Sequence, residues 1–209
     1  MTDDKKTFGA TDAALIVIDM QEKLVLAMHE MHNLIHRTET LLKGCVLLNL
    51  PIIFTQQYTK GLGETIAPIR DAYIESVLSM DENVKLATED QFMQNKHVEF
   101  SHIEKTAFSA AAEPAFMDAL EAAKRREVLL CGIESHVCVL QTAEDLLDRG
   151  YAVKVAADAT ASRREIDADF AYARMARKGI TVTTSEALLF EIMEGSEHPM
   201  FRQVSALVR

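Results

Sequence analysis

The sequence predicts an α/β protein built around a mostly parallel sheet, on the strength of two observations. Short, continuously apolar runs recur along the chain, and segments with helical spacing of apolar residues lie between them. The first run, Ala13 to Ile18, is unbroken and closes on Asp19, which is typical of a strand buried on both faces of a parallel sheet. Strands that alternate with helices form βαβ units, so the pattern favours a parallel sheet with helices on both faces.

Five further runs are predicted strands: Ile52 to Thr55, Val98 to Ile103, Glu127 to Gly132, Ala152 to Ala157 and Ile180 to Thr184. Between them, apolar residues at three- and four-residue spacing predict helices through Leu34 to Cys45 and Val139 to Leu147, and a third with Phe170, Ala173 and Ala176 on its apolar face. Gly150 and Gly179 follow two of these helices and are predicted to end them.

Composition limits the class of protein. At 209 residues the chain is predicted to form a single domain, residues 1–209, large enough to build a core without disulfides or structural metal. The net charge of -10 disfavours a nucleic-acid or anionic-membrane partner. The short basic cluster Lys124-Arg125-Arg126 is interpreted as a solvated helix end.

Cysteine usage and the amino terminus predict a cytoplasmic protein. Residues Met1 to Ala10 are charged and contain no apolar segment of the kind that a secretory signal requires. The three cysteines are an odd number, so reduced thiols are expected rather than a disulfide framework.

Two segments leave alternatives open. The polar stretch Glu75 to His97 has weak periodicity and is expected to hold either a short helix or a lid over the site. The final stretch has apolar residues at helical spacing, and it can dock either on the core or on another subunit; these residues are Phe201, Val204, Leu207 and Val208.

Three chemically reactive side chains are predicted to meet at one sheet edge, because ligands of open parallel sheets bind beyond the carboxyl ends of the strands. Asp19 ends the first strand, Lys105 follows the strand predicted to end at Ile103, and Cys138 opens the helix after Gly132. A helix N-terminus favours thiolate, the nucleophilic form of cysteine. Asp19 can accept the thiol proton and Lys105 can hold the resulting charge. Each residue also has an ordinary structural reading, as a packed thiol, a turn carboxylate or a solvated ammonium.

The remaining cysteines and the histidines are not predicted to act. Cys45 lies in an apolar helical stripe and Cys131 lies inside a strand, so both are interpreted as core residues. His29, His32 and His36 share a helical face that is typical of a solvated surface. No phosphate loop or paired metal motif is present, and no metal or cofactor is predicted.

Three segments together resemble the isochorismatase-like cysteine hydrolases. They are Leu15 to Gln21, Lys105 to Ser109 and Gly132 to Val139, and the likeness covers nearly the whole chain. The segment Thr55 to Gly63 is similar to that of the isochorismatase-domain subgroup, whose substrates are poorly defined.

The resemblance implies a three-layer α/β/α fold and an Asp-Lys-Cys triad formed by Asp19, Lys105 and Cys138. Such a triad hydrolyses small-molecule amides and related C–N bonds through a thioester. The resemblance also implies a cis peptide bond at Ile133-Glu134, an oxyanion hole formed by the N–H groups of Glu134 and Cys138, and assembly into a homo-oligomer.

Two departures narrow the expected activity. Nicotinamidases of this superfamily carry an Asp-x-His metal motif where this chain has Gln56, Gln57 and Tyr58, so no metal is expected and nicotinamide is disfavoured as the substrate. Enzymes that cleave isochorismate lack the cysteine that this chain retains as Cys138.

The sequence also suggests residues that contact the substrate and leaves two other functions open. The substrate-pocket candidates are Gln21, Tyr58 and Phe108. The rival functions are a catalytically idle member that binds a small molecule or a partner protein, and a redox-sensing thiol at Cys138.

Overall fold

The computed structural model describes residues 12–80 and 100–209. Within them, six strands form one sheet: β1 (Ala13–Ile18), β2 (Ile52–Gln57), β3 (Ile103–Lys105), β4 (Glu127–Ile133), β5 (Ala152–Ala161) and β6 (Thr181–Thr183). All neighbouring pairs are parallel, and the strand order is β3-β2-β1-β4-β5-β6. The chain leaves β1 to build one half of the sheet and later returns beside β1 with β4, so the strand order reverses between β1 and β4. This reversal opens a crevice at the carboxyl ends of β1 and β4.

The same residues contain nine α-helices: α1 (Glu22–Val25), α2 (Met31–Leu47), α3 (Thr59–Leu62), α4 (Ala67–Met80), α5 (Pro114–Ala123), α6 (Leu140–Asp148), α7 (Glu165–Lys178), α8 (Ser185–Met193) and α9 (Phe201–Leu207). A π-helical turn, Ser135–Val139, precedes α6. Gly150 and Gly179 follow α6 and α7 with φ of 86° and 95°, the left-handed conformation that ends a helix at low cost. The predicted helix ends at these glycines are therefore confirmed.

The helices form two layers, one on each face of the sheet. Leu15 and Val17 of β1 pack with α2, α4, α8 and α9, whereas Ile16 and Ile18 pack with α5, α6 and α7. Alternate residues of one strand point to opposite faces, so the unbroken apolar run of β1 is buried on both sides. The predicted α/β fold with three α/β/α layers is confirmed.

Several strand boundaries differ from the predicted ones. β2 continues to Gln57 and β5 continues to Ala161, because neighbouring strands extend far enough to pair with their polar ends. β3 begins at Ile103 and ends at Lys105, whereas the prediction ended this strand at Ile103. Its three residues pair only with the end of β2, from Thr55 to Gln57, which fixes β3 at the carboxyl edge. Val98 and residue 99 lie outside the described residues.

The predicted apolar face of α7 is wrong. Phe170, Ala173 and Ala176 are exposed, and the buried face carries Ala168, Ala171 and Met175. Ala168 and Ala171 are 8% and 3% exposed, whereas Phe170 remains 69% exposed.

The structure describes one of the two segments for which the sequence left alternatives, and only the beginning of the other. The carboxyl-terminal helix α9 docks on the core of its own chain, with Val204 fully buried and Phe201 packed edge-on against Phe190 at 6.0 Å. Of the stretch Glu75 to His97, residues 75–80 end α4 and the rest lies outside the described residues. No helix in residues 12–80 and 100–209 is long and apolar enough to cross a membrane.

Candidate active site

Asp19 lies directly beyond β1 and is fully buried. Its φ of 51° is left-handed, a conformation that aspartate tolerates better than most residues. The pairing of Ile18 with Thr55 places β2 beside it, and the Thr55 hydroxyl donates a hydrogen bond to Asp19 Oδ1 at 2.8 Å. The Asp19 N–H donates to the Thr55 carbonyl at 3.2 Å. Asp19 is thus held by β2 at two points, its carboxylate by the Thr55 side chain and its backbone by the Thr55 carbonyl.

Lys105 is the last residue of β3 and is 1% exposed. Its Nζ lies 2.7 Å from Asp19 Oδ2. The same ammonium group donates hydrogen bonds to Gln57 Oε1 at 2.6 Å and to the carbonyls of Phe108 and Ala107 at 3.0 and 3.3 Å. A buried lysine is tolerated only when paired and hydrogen-bonded, and these acceptors satisfy that condition.

Cys138 is brought to this ion pair by the end of β4. Gly132 pairs with Ile18 and has φ of 110°. A Cβ atom there would collide with the Ile18 carbonyl, so only glycine permits this close approach of β4 to β1. The chain then passes through Ile133, which is fully buried, and a cis peptide bond to Glu134 into the turn that carries Cys138.

The turn departs from the expected helix start, because the helical residues begin at Ser135 and Cys138 is the fourth of them. The carbonyl of Glu134 accepts hydrogen bonds from Val137 and Val139, each at 3.1 Å, and the described contacts include none from the intervening Cys138 N–H to this carbonyl. The Glu134 side chain pairs with Arg163 at 2.6 Å, which anchors the start of the turn.

Burial dominates the titration of both reactive groups. It raises the pKa of Asp19 above its usual value, while the charge of Lys105 and hydrogen bonds from Lys105 and Thr55 oppose that rise. Burial also raises the pKa of the Cys138 thiol to about 12, with the negative charge of Asp19 adding to the rise. Lys105 acts in the opposite direction, and the thiol lies within hydrogen-bonding reach of both Asp19 and Lys105. Desolvation therefore opposes the thiolate that the helix start was predicted to favour.

The three pocket candidates lie in two different environments. Tyr58 and Phe108 are 53% and 55% exposed beside the strand ends, where a ligand can reach them. Gln21 is fully buried, and its side-chain amide binds the N–H and C=O of Gln57 at 2.7 and 3.0 Å and the Gly63 carbonyl at 2.7 Å. Gln21 therefore supports the end of β2 beside the site, and its contact with a substrate stays a prediction.

Two contributors to the site, Thr55 and Gln57, were not predicted from the sequence. Both lie near the end of β2, next to Asp19 and Lys105 respectively. Polar residues at the carboxyl end of a strand beside β1 were the available signal. No group of three or more His, Cys, Asp or Glu in the described parts of the chain is arranged to hold a metal ion.

The parallel sheet, with helices on both faces, carries a buried carboxylate, an ammonium group and a thiol at its carboxyl edge. Residues 13–187 match the isochorismatase domain, and the chain belongs to this family. It is 35% identical over 191 residues to isochorismatase domain-containing protein 1 of Salmo salar, and the match spans 91% of this chain and 59% of that protein.

Solved structures give the same fold. The MAR1 ribonuclease of Caenorhabditis elegans is 35% identical with a TM-score of 0.79, covering 96% of this chain and 91% of that chain. The YcaC gene product of Escherichia coli, an octameric hydrolase of unknown specificity, superposes with a TM-score of 0.80 at 19% identity, covering 99% and 91%.

Proposed function

We propose that this protein hydrolyses a small-molecule amide or a related C–N bond through a thioester on Cys138. The observation that carries the proposal is the fully buried Asp19–Lys105 ion pair in contact with the Cys138 thiol. Removing two charges from water is costly, and a purely structural site has little need of a reactive thiol beside them.

Asp19 is proposed as the proton acceptor. With a pKa of about 12, Cys138 rests as a neutral thiol, so its proton must leave as the sulfur attacks. A carboxylate whose pKa is raised by burial is a stronger base than an exposed one, which suits Asp19 to this transfer. Lys105 then stabilises the developing thiolate, since its positive charge lowers the Cys138 pKa.

The proposed reaction proceeds in two halves. The Cys138 sulfur forms a bond to the substrate carbonyl carbon, and the S–H proton passes to Asp19. The tetrahedral intermediate collapses with cleavage of the C–N bond, and the leaving nitrogen takes the proton from Asp19. Water then attacks the thioester carbon and gives a proton back to Asp19, and the C–S bond breaks to release the carboxylic acid. That proton returns to sulfur and restores the thiol.

Backbone N–H groups are proposed to hold the oxyanion. The turn after Glu134 presents its peptide groups at the same strand end as the thiol, and the described contacts include no bond from the Cys138 N–H to the Glu134 carbonyl. In other enzymes one oxyanion-hole donor contributes about 3 kcal/mol to transition-state stabilisation.

The worm relative is named a ribonuclease, which raises a second activity for comparison. Four cationic side chains do line a cavity of about 650 Å³: Lys124, Arg125, Arg126 and Arg149. This cavity lies at the amino-terminal ends of β4 and β5, so the length of β4, about 20 Å, separates it from Cys138. It is badly placed to hold a phosphodiester at the thiol, and amide hydrolysis remains the favoured proposal.

Cellular location and assembly belong to the same proposal. Cys45, Cys131 and Cys138 are all free thiols, which supports a reducing compartment such as the cytoplasm. The octameric state of the YcaC gene product supports a homo-oligomer.

A substrate screen with matched cysteine variants tests the proposed function. Native protein, Cys138→Ala and Cys131→Ala are compared on amides, ureides and a single-stranded RNA, with acylated protein detected by intact mass after acid quench. We expect native protein and Cys131→Ala to turn over an amide or ureide, and Cys138→Ala to lose about 10⁴-fold or more of that turnover. A Cys138→Ala variant with native turnover would contradict the proposal.

Two other outcomes also decide against it. Cleavage of RNA that persists in Cys138→Ala would favour the ribonuclease activity for which the worm relative is named. Failure of an acyl electrophile to modify Cys138 in folded native protein would favour a catalytically idle binding protein.

A further inference from the structure

Gln57, the last residue of β2, contacts Lys105 of the candidate active site. The register of β2 and β3 places Gln57 directly opposite Lys105. Its Oε1 accepts a hydrogen bond from Lys105 Nζ at 2.6 Å, and its Nε2 donates to the Thr106 carbonyl at 2.8 Å. One amide group therefore holds both the ammonium group and the first peptide after β3.

The backbone of Gln57 is itself fixed. Gln21 accepts a hydrogen bond from its N–H at 2.7 Å and donates to its C=O at 3.0 Å, and the same Gln21 amide donates to the Gly63 carbonyl at 2.7 Å. Because Gln21 comes two residues after Asp19, this clamp ties the end of β2 to the segment that carries the carboxylate. Buried networks in which every group has a partner are rigid.

The contacts of Lys105 leave it little freedom. An ammonium group has three N–H donors, and here Asp19, Gln57 and the carbonyls of Phe108 and Ala107 offer acceptors for all of them. The Gln57 oxygen is the nearest of these acceptors at 2.6 Å, so its loss leaves the ammonium group with Asp19 and the two longer carbonyl contacts at 3.0 and 3.3 Å, and Lys105 is free to shift.

We propose that Gln57 is a positioning residue that holds the Lys105 ammonium against Asp19 and Cys138, so that lysine acts on the reaction by its charge and not by binding substrate. This inference rests on the proposed function, because it assigns Lys105 its part in that reaction. It also makes the hydrogen-bond donor to the substrate oxyanion a backbone N–H group, because the N–H donors of Lys105 are engaged.

The charge on Lys105 affects the pKa values of the two reactive groups beside it, Asp19 and Cys138. The groups that act on the Asp19 carboxylate are Lys105 from β3, the Cys138 thiol from the turn after β4, and the uncharged Thr55 from β2. Lys105 lowers the pKa of both Asp19 and Cys138. If Lys105 moves away, both pKa values rise.

The test compares Gln57→Met with Gln56→Met. Gln56 is the neighbouring glutamine of β2 and is fully buried, whereas Gln57 is partly buried. The described amide contacts of Gln56 are with Thr59, Glu64 and Thr65 and include no hydrogen bond to Lys105. Asp19 is followed by the pH dependence of its ¹³Cγ chemical shift, assigned with Asp19→Asn, and Cys138 by its rate of alkylation with iodoacetamide at about pH 8. We expect Gln57→Met to raise the Asp19 midpoint by about one pH unit and to slow alkylation about tenfold. Gln56→Met is expected to change neither.

The outcomes separate this inference from the proposed function. Native midpoints in Gln57→Met, or equal shifts in both methionine variants, would overturn the positioning role even if Cys138 proves to be the nucleophile. Because neither readout needs turnover, the role can also be decided if Cys138→Ala remains active. Should Gln57→Met fail to fold, Gln57→Asn keeps the polar group but is one methylene too short to reach Lys105, and the same shifts are expected.

Discussion

Two buried lysines of the sheet make ion pairs of equal length in different surroundings. Lys105 Nζ lies 2.7 Å from Asp19, and Lys154 Nζ of β5 lies 2.7 Å from Glu191 of α8. The side chains of the first pair are 1% and 0% exposed, whereas those of the second are 5% and 45% exposed. Distance alone therefore does not distinguish the two pairs, but access to water does.

The difference shows what full burial adds to an ion pair. Burial lowers the pKa of Lys154 and Glu191 opposes the change, but the Glu191 carboxylate still reaches solvent. Asp19 has no such access, so its negative charge depends on Lys105 and Thr55. A carboxylate held in this way has a raised pKa and can take a proton from a neighbouring thiol, whereas a half-exposed carboxylate such as Glu191 serves mainly to stabilise the surface.

The largest difference between the pairs is expected in the reactivity of Cys138. In Asp19→Asn the thiol loses its proton acceptor, and we expect turnover of a confirmed substrate to fall about 10²–10⁴-fold. Glu191→Gln removes the corresponding charge beside Lys154, far from the thiol, and turnover is expected to stay within about twofold of native. Steady-state kinetics check both values, and a similar loss in the two variants would remove the functional distinction.

Removal of each lysine is expected to affect stability unequally. Lys105→Met leaves the Asp19 carboxylate buried without its counter-charge, which costs about 3–5 kcal/mol. Lys154→Met leaves Glu191 able to turn to water and is expected to cost about 1 kcal/mol. Urea unfolding at about pH 8 measures the difference, and equal losses would contradict the comparison.

The sign of the pH dependence provides a second check on Lys105→Met. Loss of Lys105 raises the folded-state pKa of Asp19 further above its unfolded value. Protonated Asp19 is neutral, so the variant should be most stable at acid pH. It should lose stability as the pH rises from the unfolded-state pKa of Asp19 through its folded-state pKa, and this group should cause no further loss above that. The double variant Asp19→Asn with Lys105→Met removes both charges and is expected to regain stability at about pH 8.

The smallest expected effect concerns the hydrogen bond that supports Asp19 from β2. Thr55→Val removes the donor to Asp19 Oδ1, and since this bond lowers the pKa of Asp19, its loss should raise that pKa, measured as the pH midpoint of the Asp19 ¹³Cγ chemical shift. Thr38→Val is the matched control, because Thr38 of α2 is equally buried but donates to the Ala159 carbonyl at 3.5 Å. If the control raises the Asp19 midpoint to the same degree, the effect is general loosening of the core.

Much of the fold was predictable from sequence, because local rules govern it. The apolar run of β1 has the pattern that burial on both faces requires. Gly150 and Gly179 end helices because left-handed backbone costs glycine little. The apolar face of α7 was mispredicted because the small residues Ala168 and Ala171 look weakly hydrophobic in sequence but pack closely, while Phe170 does not.

Some residues of the candidate site were predictable from the sequence and others were not. The chain order of Asp19, Lys105 and Cys138 pointed to one sheet edge, and the structure brings all three together there. The parts that Gln57 and Thr55 play could not be predicted, because they depend on the register of β2 against β1 and β3. No local pattern determines a register between strands that are far apart in sequence.

The sequence by itself determined which elements form and which reactive groups end them, because strand periodicity, glycine turns and residue chemistry act over a few neighbours. Only the tertiary structure decided that Gln21 is fully buried against the end of β2, and that burial raises the pKa of the Cys138 thiol. Both depend on burial and on partners from other strands. Desolvation of Cys138 requires the assembled site, because the turn alone would leave the thiol in water.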